Sequence, residues 1–223
     1  YEKQTMQVQS SQVLENEGQR RDAADHYRAS WEKRGLANGG NLDAERAFKI
    51  YRDLRSEVTA KIMAEMALKL MDQLPVNAGA TEFAVQAIHQ TRTYGNQWVL
   101  SNQVGAKLLQ KRLPLDEKQK WEVHYLMGEN SRAQKQYSNS TNSYKQAVAA
   151  GADNPDVARN LMRSLYDAQS PFPELEKAFQ AYQRGFPNET VSRQTEMQVM
   201  LAQAKQSWRH WQRLPRWPAV IRR

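Results

Sequence analysis

An all-α protein of antiparallel helical hairpins is the fold class this sequence predicts, on three observations. Apolar residues recur at helical spacing through almost the whole chain of 223 residues. Alternating β-branched runs and Asn-Gly hairpin turns are missing, so strand signals are nearly absent. Gly and Pro interrupt the pattern repeatedly, leaving segments of about 12–18 residues joined by short turns, as in paired antiparallel helices.

The first segment, 11–34, carries Ala23, Ala24, Tyr27, Ser30 and Trp31 on one face. GLANGGN (35–41) breaks it, and Asn41 or Asp43 is the expected cap of the next helix. From Leu42 to Leu74 there is neither Gly nor Pro. Ala44, Ala47, Phe48, Tyr51 and Leu54 form one apolar stripe there, and Ile62, Met63, Met66, Leu70 and Met71 form another. The stretch reads as one long helix or as two meeting near Ser56; two suit a hairpin array better. LPVNAG (74–79) is the next break. Helices are then expected at 80–93, 96–112, 116–133, 137–150, 155–168, 172–184 and 189–213. Their punctuation is Gly95, Pro114, Gly151 with Pro155, Pro171 with Pro173, and Gly185 with Pro187. The expected organisation is a region of long helices over 1–77, holding at most a degenerate repeat. Helical repeats with a capping helix come next over 78–213, then a basic tail with Trp and Pro over 214–223.

The Ser/Asn/Thr run in YSNSTNSYKQAVAAG has a loop's composition, yet Tyr137, Ser140, Tyr144 and Ala147 share one helical face. A shift of 35 residues lands Tyr137 on Phe172, Ser140 on Leu175, Tyr144 on Phe179 and Ala147 on Tyr182. The same shift carries Leu126 and Met127 onto Leu161 and Met162, and a further one carries Met162 onto Met197 and Leu165 onto Met200. A period near 34 residues marks tetratricopeptide arrays. The segment 116–187 resembles that family: Met127-Gly128 stands where the first helix has its large residue followed by Leu-Gly. Tyr137, Ser140, Tyr144 and Ala147 stand where the second helix alternates aromatic and small residues, and the next unit supplies Met162, Phe172, Phe179 and Pro187. Looser matches occur at Gly18, Ala23, Tyr27 and Ser30, and at Ala44, Phe48 and Tyr51, although Tyr27 and Phe48 are too close for consecutive full repeats. Leu175 and Tyr182 are bulky where the family prefers small residues. The resemblance implies stacked hairpins forming a tetratricopeptide-like right-handed α-solenoid. It also implies a protein-binding scaffold of the kind used in assembly, chaperoning or secretion complexes, including bacterial envelope machines.

Composition narrows the classes. Mean hydropathy is −0.84, and an elongated helical protein suits that polarity because it has more surface per residue than a sphere. No apolar run approaches the ~20 residues that span a bilayer. The chain starts at Tyr1 in helix-forming sequence, so a processed or excised piece is expected, in the envelope or periplasm if processed and in the cytoplasm otherwise. Cysteine is absent, which excludes disulfides and thiolate chemistry and leaves metals only His and carboxylate ligands.

Chemistry-bearing motifs are few. There is no Gly-rich phosphate loop, nucleophile elbow or His-Glu-x-x-His pattern. GENSRAQK (128–135) lacks the second Gly and the Ser/Thr of a phosphate loop. Asp22 and His26 are spaced to share a metal on one helix, but a surface polar pair is the commoner meaning of that spacing. Glu174 and Glu176 read as acids favouring a helix N-terminus. The acceptor triplets at Asn139 and Asn188 are frequent by chance. Met63, Met66 and Met71 would suit an adaptable groove, although at helical spacing such residues usually form core. No catalytic residue, metal ligand or cofactor is expected.

The C-terminal segment stands apart. Of a net charge of +8, six positive charges lie beyond Glu196, with no acid among them: Lys205, Arg209, Arg213, Arg216, Arg222 and Arg223. Leu201, Ala204, Trp208 and Trp211 form an apolar stripe beside the basic one, and Pro215 and Pro218 end the helix. As a cap, this helix would dock Leu201, Ala204 and Trp208 onto the last repeat and leave the basic residues solvated. As a site, Lys205, Arg209, Arg213, Arg216, Trp217, Arg222 and Arg223 would bind an acidic protein partner. An anionic polymer, nucleic acid or a membrane surface, is the alternative. The expected function is a non-enzymatic interaction scaffold or adaptor; a helical enzyme with an unrecognised site is the third reading.

Overall fold

The computed structural model describes residues 2–35, 40–73 and 78–213. Among the described residues it is all-helical, without a strand. The described residues form ten helices in order: α1 (Glu2–Arg34), α2 (Gly40–Leu54), α3 (Glu57–Gln73), α4 (Ala78–Gly95), α5 (Trp98–Gln110), α6 (Glu117–Ala133), α7 (Tyr137–Ala149), α8 (Pro155–Asp167), α9 (Phe172–Gly185) and α10 (Val191–Arg213). Each packs on the next along the chain, and α3 with α5, α4 with α6 and α8 with α10 also meet.

Local chemistry sets the boundaries. The stretch after Leu42 is two helices, because Arg55 takes a positive φ of 49° and turns the chain. Ser56 then caps α3: its Oγ accepts the Thr59 N–H at 3.2 Å, while Thr59 Oγ1 accepts the Ser56 N–H at 3.1 Å. Asp116 and Gln119 make the same reciprocal bonds at the start of α6. At α8 the Asn154 side chain accepts the Asp156 N–H at 2.8 Å beside Pro155. The expected cap at Asn41 or Asp43 is corrected: α2 already begins at Gly40, and Asp43 instead accepts a bond from Ser30 Oγ at 2.7 Å, tying α2 to α1. Helices α6, α7 and α8 end alike. Lys135 (φ 58°), Gly151 (φ 88°) and Gln169 (φ 52°) let the following N–H reach back to the carbonyls of Ser131, Ala147 and Leu165.

Buried apolar side chains form two clusters. The first runs from Ala24 and Trp31 on α1 to Val123 and Leu126 on α6, so it continues across positions 77 and 78. Its interior interleaves Ala, which lets helix backbones approach, with Met and aromatics that fill the space between them. Met63, Met66 and Met71 are all at most 2% exposed, so they are core and not a groove. Of the two alanines expected on the inner face of α1, Ala24 is buried and Ala23 is exposed. The second cluster comprises Met162, Leu165, Leu175, Phe179, Tyr182 and Met197 on α8, α9 and α10.

The Ser/Asn/Thr run is helix α7, with Ser140, Thr141, Tyr144 and Ala147 buried. Packing overrides its poor intrinsic propensity. Gly128 on α6 is where that packing is tightest: a Cβ there would lie 2.7 Å from the Tyr144 ring. The positions one period later, Leu175, Phe179 and Tyr182, are buried as well. Tyr137 and Phe172, expected to be buried, are only half-buried, because each is the first residue of its helix and has no preceding turn beside it.

Candidate functional site

Between the two apolar clusters lies a polar seam. Glu129 on α6 is its hub. Its Oε1 accepts bonds from the Tyr144 hydroxyl and from Asn160 Nδ2 at 2.8 Å, and its Oε2 accepts from Arg92 Nη2 at 2.8 Å. One carboxylate therefore joins α4, α6, α7 and α8. Burial, and then the Glu129 charge, push the Tyr144 phenol well above its ordinary value near 10, and push Tyr125 up by the same causes. The Tyr144 phenol donates to Glu129, while the Tyr125 hydroxyl accepts from Asn160 Nδ2 at 3.4 Å. Deeper in the seam the hydroxyls of Ser140 and Ser164 meet at 2.7 Å, fully buried.

The polar links recur. Arg92–Glu129 joins α4 to α6, Arg132–Asp167 (3.6 Å) joins α6 to α8, and Arg163–Glu196 joins α8 to α10. Tyr166 donates to Gln203 Oε1 at 2.8 Å across the same two helices. His89 Nε2 sits 3.2 Å from Glu122 Oε1 between α4 and α6. In the N-terminal part, Lys69 donates to Glu32 and Lys107 donates to Leu68 O, joining α1 to α3 and α3 to α5. The partners in Arg92–Glu129, Arg163–Glu196 and Tyr166–Gln203 stand 37, 33 and 37 residues apart in sequence.

Where these pairs meet the turns, a recess of about 530 Å³ opens. Arg92, Arg132 and Lys135 bring positive charge to it, Glu129 and Asp167 bring negative charge, and Trp98 and Tyr137 supply aromatic walls. Tyr137, half-buried at the start of α7, borders this recess. Such a lining can grip a chain that offers both polar groups and an apolar surface. A second groove, about 810 Å³, lies between the α8–α9 turn and α10 and includes Trp208.

The predicted binding residues are only partly within view. Lys205 and Arg209 are exposed on α10. Arg213 is the last residue of that helix, and its side chain lies outside the described residues, as do Arg216, Trp217, Arg222 and Arg223. Leu201 and Ala204 pack on the second apolar cluster as expected. Trp208 does not dock fully, being 42% exposed. The histidines lie on four different helices, and no group of three His, Cys, Asp or Glu able to hold a metal is present among the described residues. Asp22 and His26 are both exposed. Among the described residues no helix is long and apolar enough to cross a membrane. Asn139 lies in the first turn of α7 and Asn188 in the turn before α10, both exposed. The recess residues Arg92, Glu129 and Arg132 carried no motif; their signal was opposite charge at about one repeat's separation, Arg92 before Glu129 and Arg132 before Asp167. No family model, characterised protein or solved structure matches the chain.

Proposed function

We propose that this chain is a non-catalytic scaffold, a tetratricopeptide-like right-handed α-solenoid of antiparallel hairpins that binds a peptide or protein partner as an assembly or adaptor subunit. The observation that carries the reading is the recess beside Glu129, with its three cations and two aromatic walls set among cross-helix pairs at one-repeat spacing. Sequential packing of short helices and links about 35 residues apart are what a stack of hairpins would produce. The charged groups of the seam are engaged with each other across helices, which holds a surface in shape. A partner would then gain affinity from Trp98 and Tyr137 and orientation from Lys135.

Panning a random-peptide display library on the purified chain tests this. Enriched peptides should bind the wild type and lose affinity with Lys135→Glu and Tyr137→Ala, both at accessible positions. Binding should tolerate moderate salt, since aromatic burial and not charge supplies most of it. No enrichment over an unrelated helical protein would overturn the scaffold reading. Steeply salt-dependent binding of oligonucleotide or anionic vesicles in place of peptide would favour the anionic-polymer alternative.

A further inference from the structure

The cross-links between α8 and α10 fix their register, since Arg163 meets Glu196 and Tyr166 meets Gln203. Both helices therefore run in the same direction. Because α8 ends at Asp167, α10 continues past its support for about nine residues, roughly 14 Å at the helical rise. The apolar stripe does not stop where the support does. Met197 is 1% exposed, Leu201 and Ala204 are half-buried, and Trp208 is 42% exposed. At the overhang, Tyr166, Phe172 and Leu175 face Ala204 and Trp208 across the groove of about 810 Å³. A half-exposed Trp walled by aromatics is the kind of anchor on which interfaces concentrate their affinity.

Charge selects the occupant. Successive residues on a helix differ by about 100° in direction, so Lys205 and Arg209 flank the line of Ala204 and Trp208. Both are exposed, and no acidic residue occurs after Glu196 in the chain. The one acid lining the groove, Asp167, is already paired with Arg132 at 3.6 Å. The chain's own residues 214–223 would be a poor occupant, for they carry Arg216, Arg222 and Arg223 and no acid. Like charges would oppose their docking beside Lys205 and Arg209.

We propose that the overhanging end of α10 docks an acidic, amphipathic segment of a partner protein, which seats an apolar side chain on Trp208 while its carboxylates meet Lys205 and Arg209. This rests on the scaffold reading and gives it a second contact surface and a partner chemistry.

The test pans the same display library on the full chain, with the Trp208→Ala variant used for counter-selection. Enriched peptides should be net acidic with an aromatic or aliphatic anchor. A synthetic consensus peptide should lose about tenfold or more in affinity with Trp208→Ala, keep most of it with Trp208→Phe, and weaken with Lys205→Glu plus Arg209→Glu. Ser207→Glu, a change at an exposed groove position, should weaken binding without touching the apolar stripe. It keeps the proposal open to refutation if Trp208→Ala misfolds in circular dichroism. Basic or neutral consensus peptides, or acidic ones indifferent to Trp208 and Ser207, overturn the proposal. Peptides that depend only on Lys135 and Tyr137 leave the scaffold reading standing and remove this site; no enrichment removes both. Tighter binding of poly-dT or of phosphatidylserine vesicles than of the acidic peptide also overturns it.

Discussion

The two apolar clusters differ in size and in construction. The first gathers buried side chains from six helices, α1 to α6, with Trp31, Phe48, Tyr51 and Met63 at most 1% exposed. The second gathers six side chains from α8, α9 and α10. Between them α6, α7 and α8 meet through Glu129, Tyr144, Asn160 and the Ser140–Ser164 bond. Tyr144, Ala147 and Val157 are fully buried in this joint yet belong to neither cluster. The N-terminal half thus derives its stability from non-directional apolar burial. The joint to the C-terminal half adds to such burial a set of hydrogen bonds that demand geometry. In repeat-like chains stability is carried by nearest-neighbour interfaces, so the two halves should open at different free energies.

The largest effect expected is in the first cluster. Trp31→Ala should cost about 3–5 kcal/mol and lower the urea midpoint of the whole chain. Leu175→Ala, costing about 2–5 kcal/mol by the same mechanism, should instead speed hydrogen exchange in α8–α10 and leave α2–α4 protected. Uniform loss of protection in both variants would show one cooperative unit and break the comparison.

Close packing at the joint gives the next effect. Gly128→Ala drives a Cβ to 2.7 Å from the Tyr144 ring and should cost about 1–3 kcal/mol. Gly18→Ala on α1 meets nothing within 4 Å and should be stabilising by about 0.5–1 kcal/mol through helix propensity. Thermal melts of the two variants must move in opposite directions. If they move together, the close approach at Gly128 is not what constrains α6 and α7.

Alkaline pH probes one residue from each side of the comparison. Burial, and then a hydrogen bond from the phenol to Asp25, raise Tyr51 in the first cluster; burial, and then the Glu129 charge, raise Tyr144 in the joint. Folding therefore holds both protonated. Their contribution is fully present below the unfolded value near 10 and is lost above it, because the unfolded chain releases protons that the native one retains. Each group should lower stability by about 1.4 kcal/mol per pH unit above that point. Denaturation midpoints between pH 9 and 11 (about one unit either side of the free tyrosine value) should fall less steeply for Tyr51→Phe plus Tyr144→Phe than for wild type. Equal slopes would remove these phenols from the account.

The smallest effect lies at the helix ends. Lys135 and Gln169 hold a left-handed backbone that costs non-glycine residues about 1–2 kcal/mol. Gln169→Gly should recover up to about 1 kcal/mol, read as a raised midpoint, whereas the same change at exposed Gln180 inside α9 should lower it. Lys135 borders the recess, so Lys135→Gly separates stability from binding.

Much of this arrangement was legible before the fold. Helices at 116–133, 137–150, 155–168 and 172–184 were readable to within a residue or two because Pro114, Gly151 and Pro155, and Pro171 with Pro173 are local breakers. The Tyr144 face was readable because aromatics at helical spacing interrupt a run that is otherwise polar. The break at Arg55–Ser56 was harder, since neither Gly nor Pro marks it and the turn depends on an arginine in a left-handed conformation. The recess was not visible as a site. Arg92, Glu129 and Arg132 look like ordinary solvated charges, and only their pairing across helices distinguishes them.

The sequence by itself determined most helices, their breaks and the apolar stripes, because these arise from interactions within a few residues along one chain: periodicity, capping and the exclusion of Pro from helix interiors. The tertiary structure alone decided which stripes are covered and which charges are consumed. Asp43 became a tie between helices and not a cap, Met63 and Met66 became core, and Trp208 was left half-exposed where α10 outruns α8. Those outcomes depend on the register between helices that pack on one another, whether neighbours such as α1 and α2 or next-but-one helices such as α8 and α10. That register is set by side-chain volume at contacts such as Gly128 against Tyr144, which no local pattern encodes.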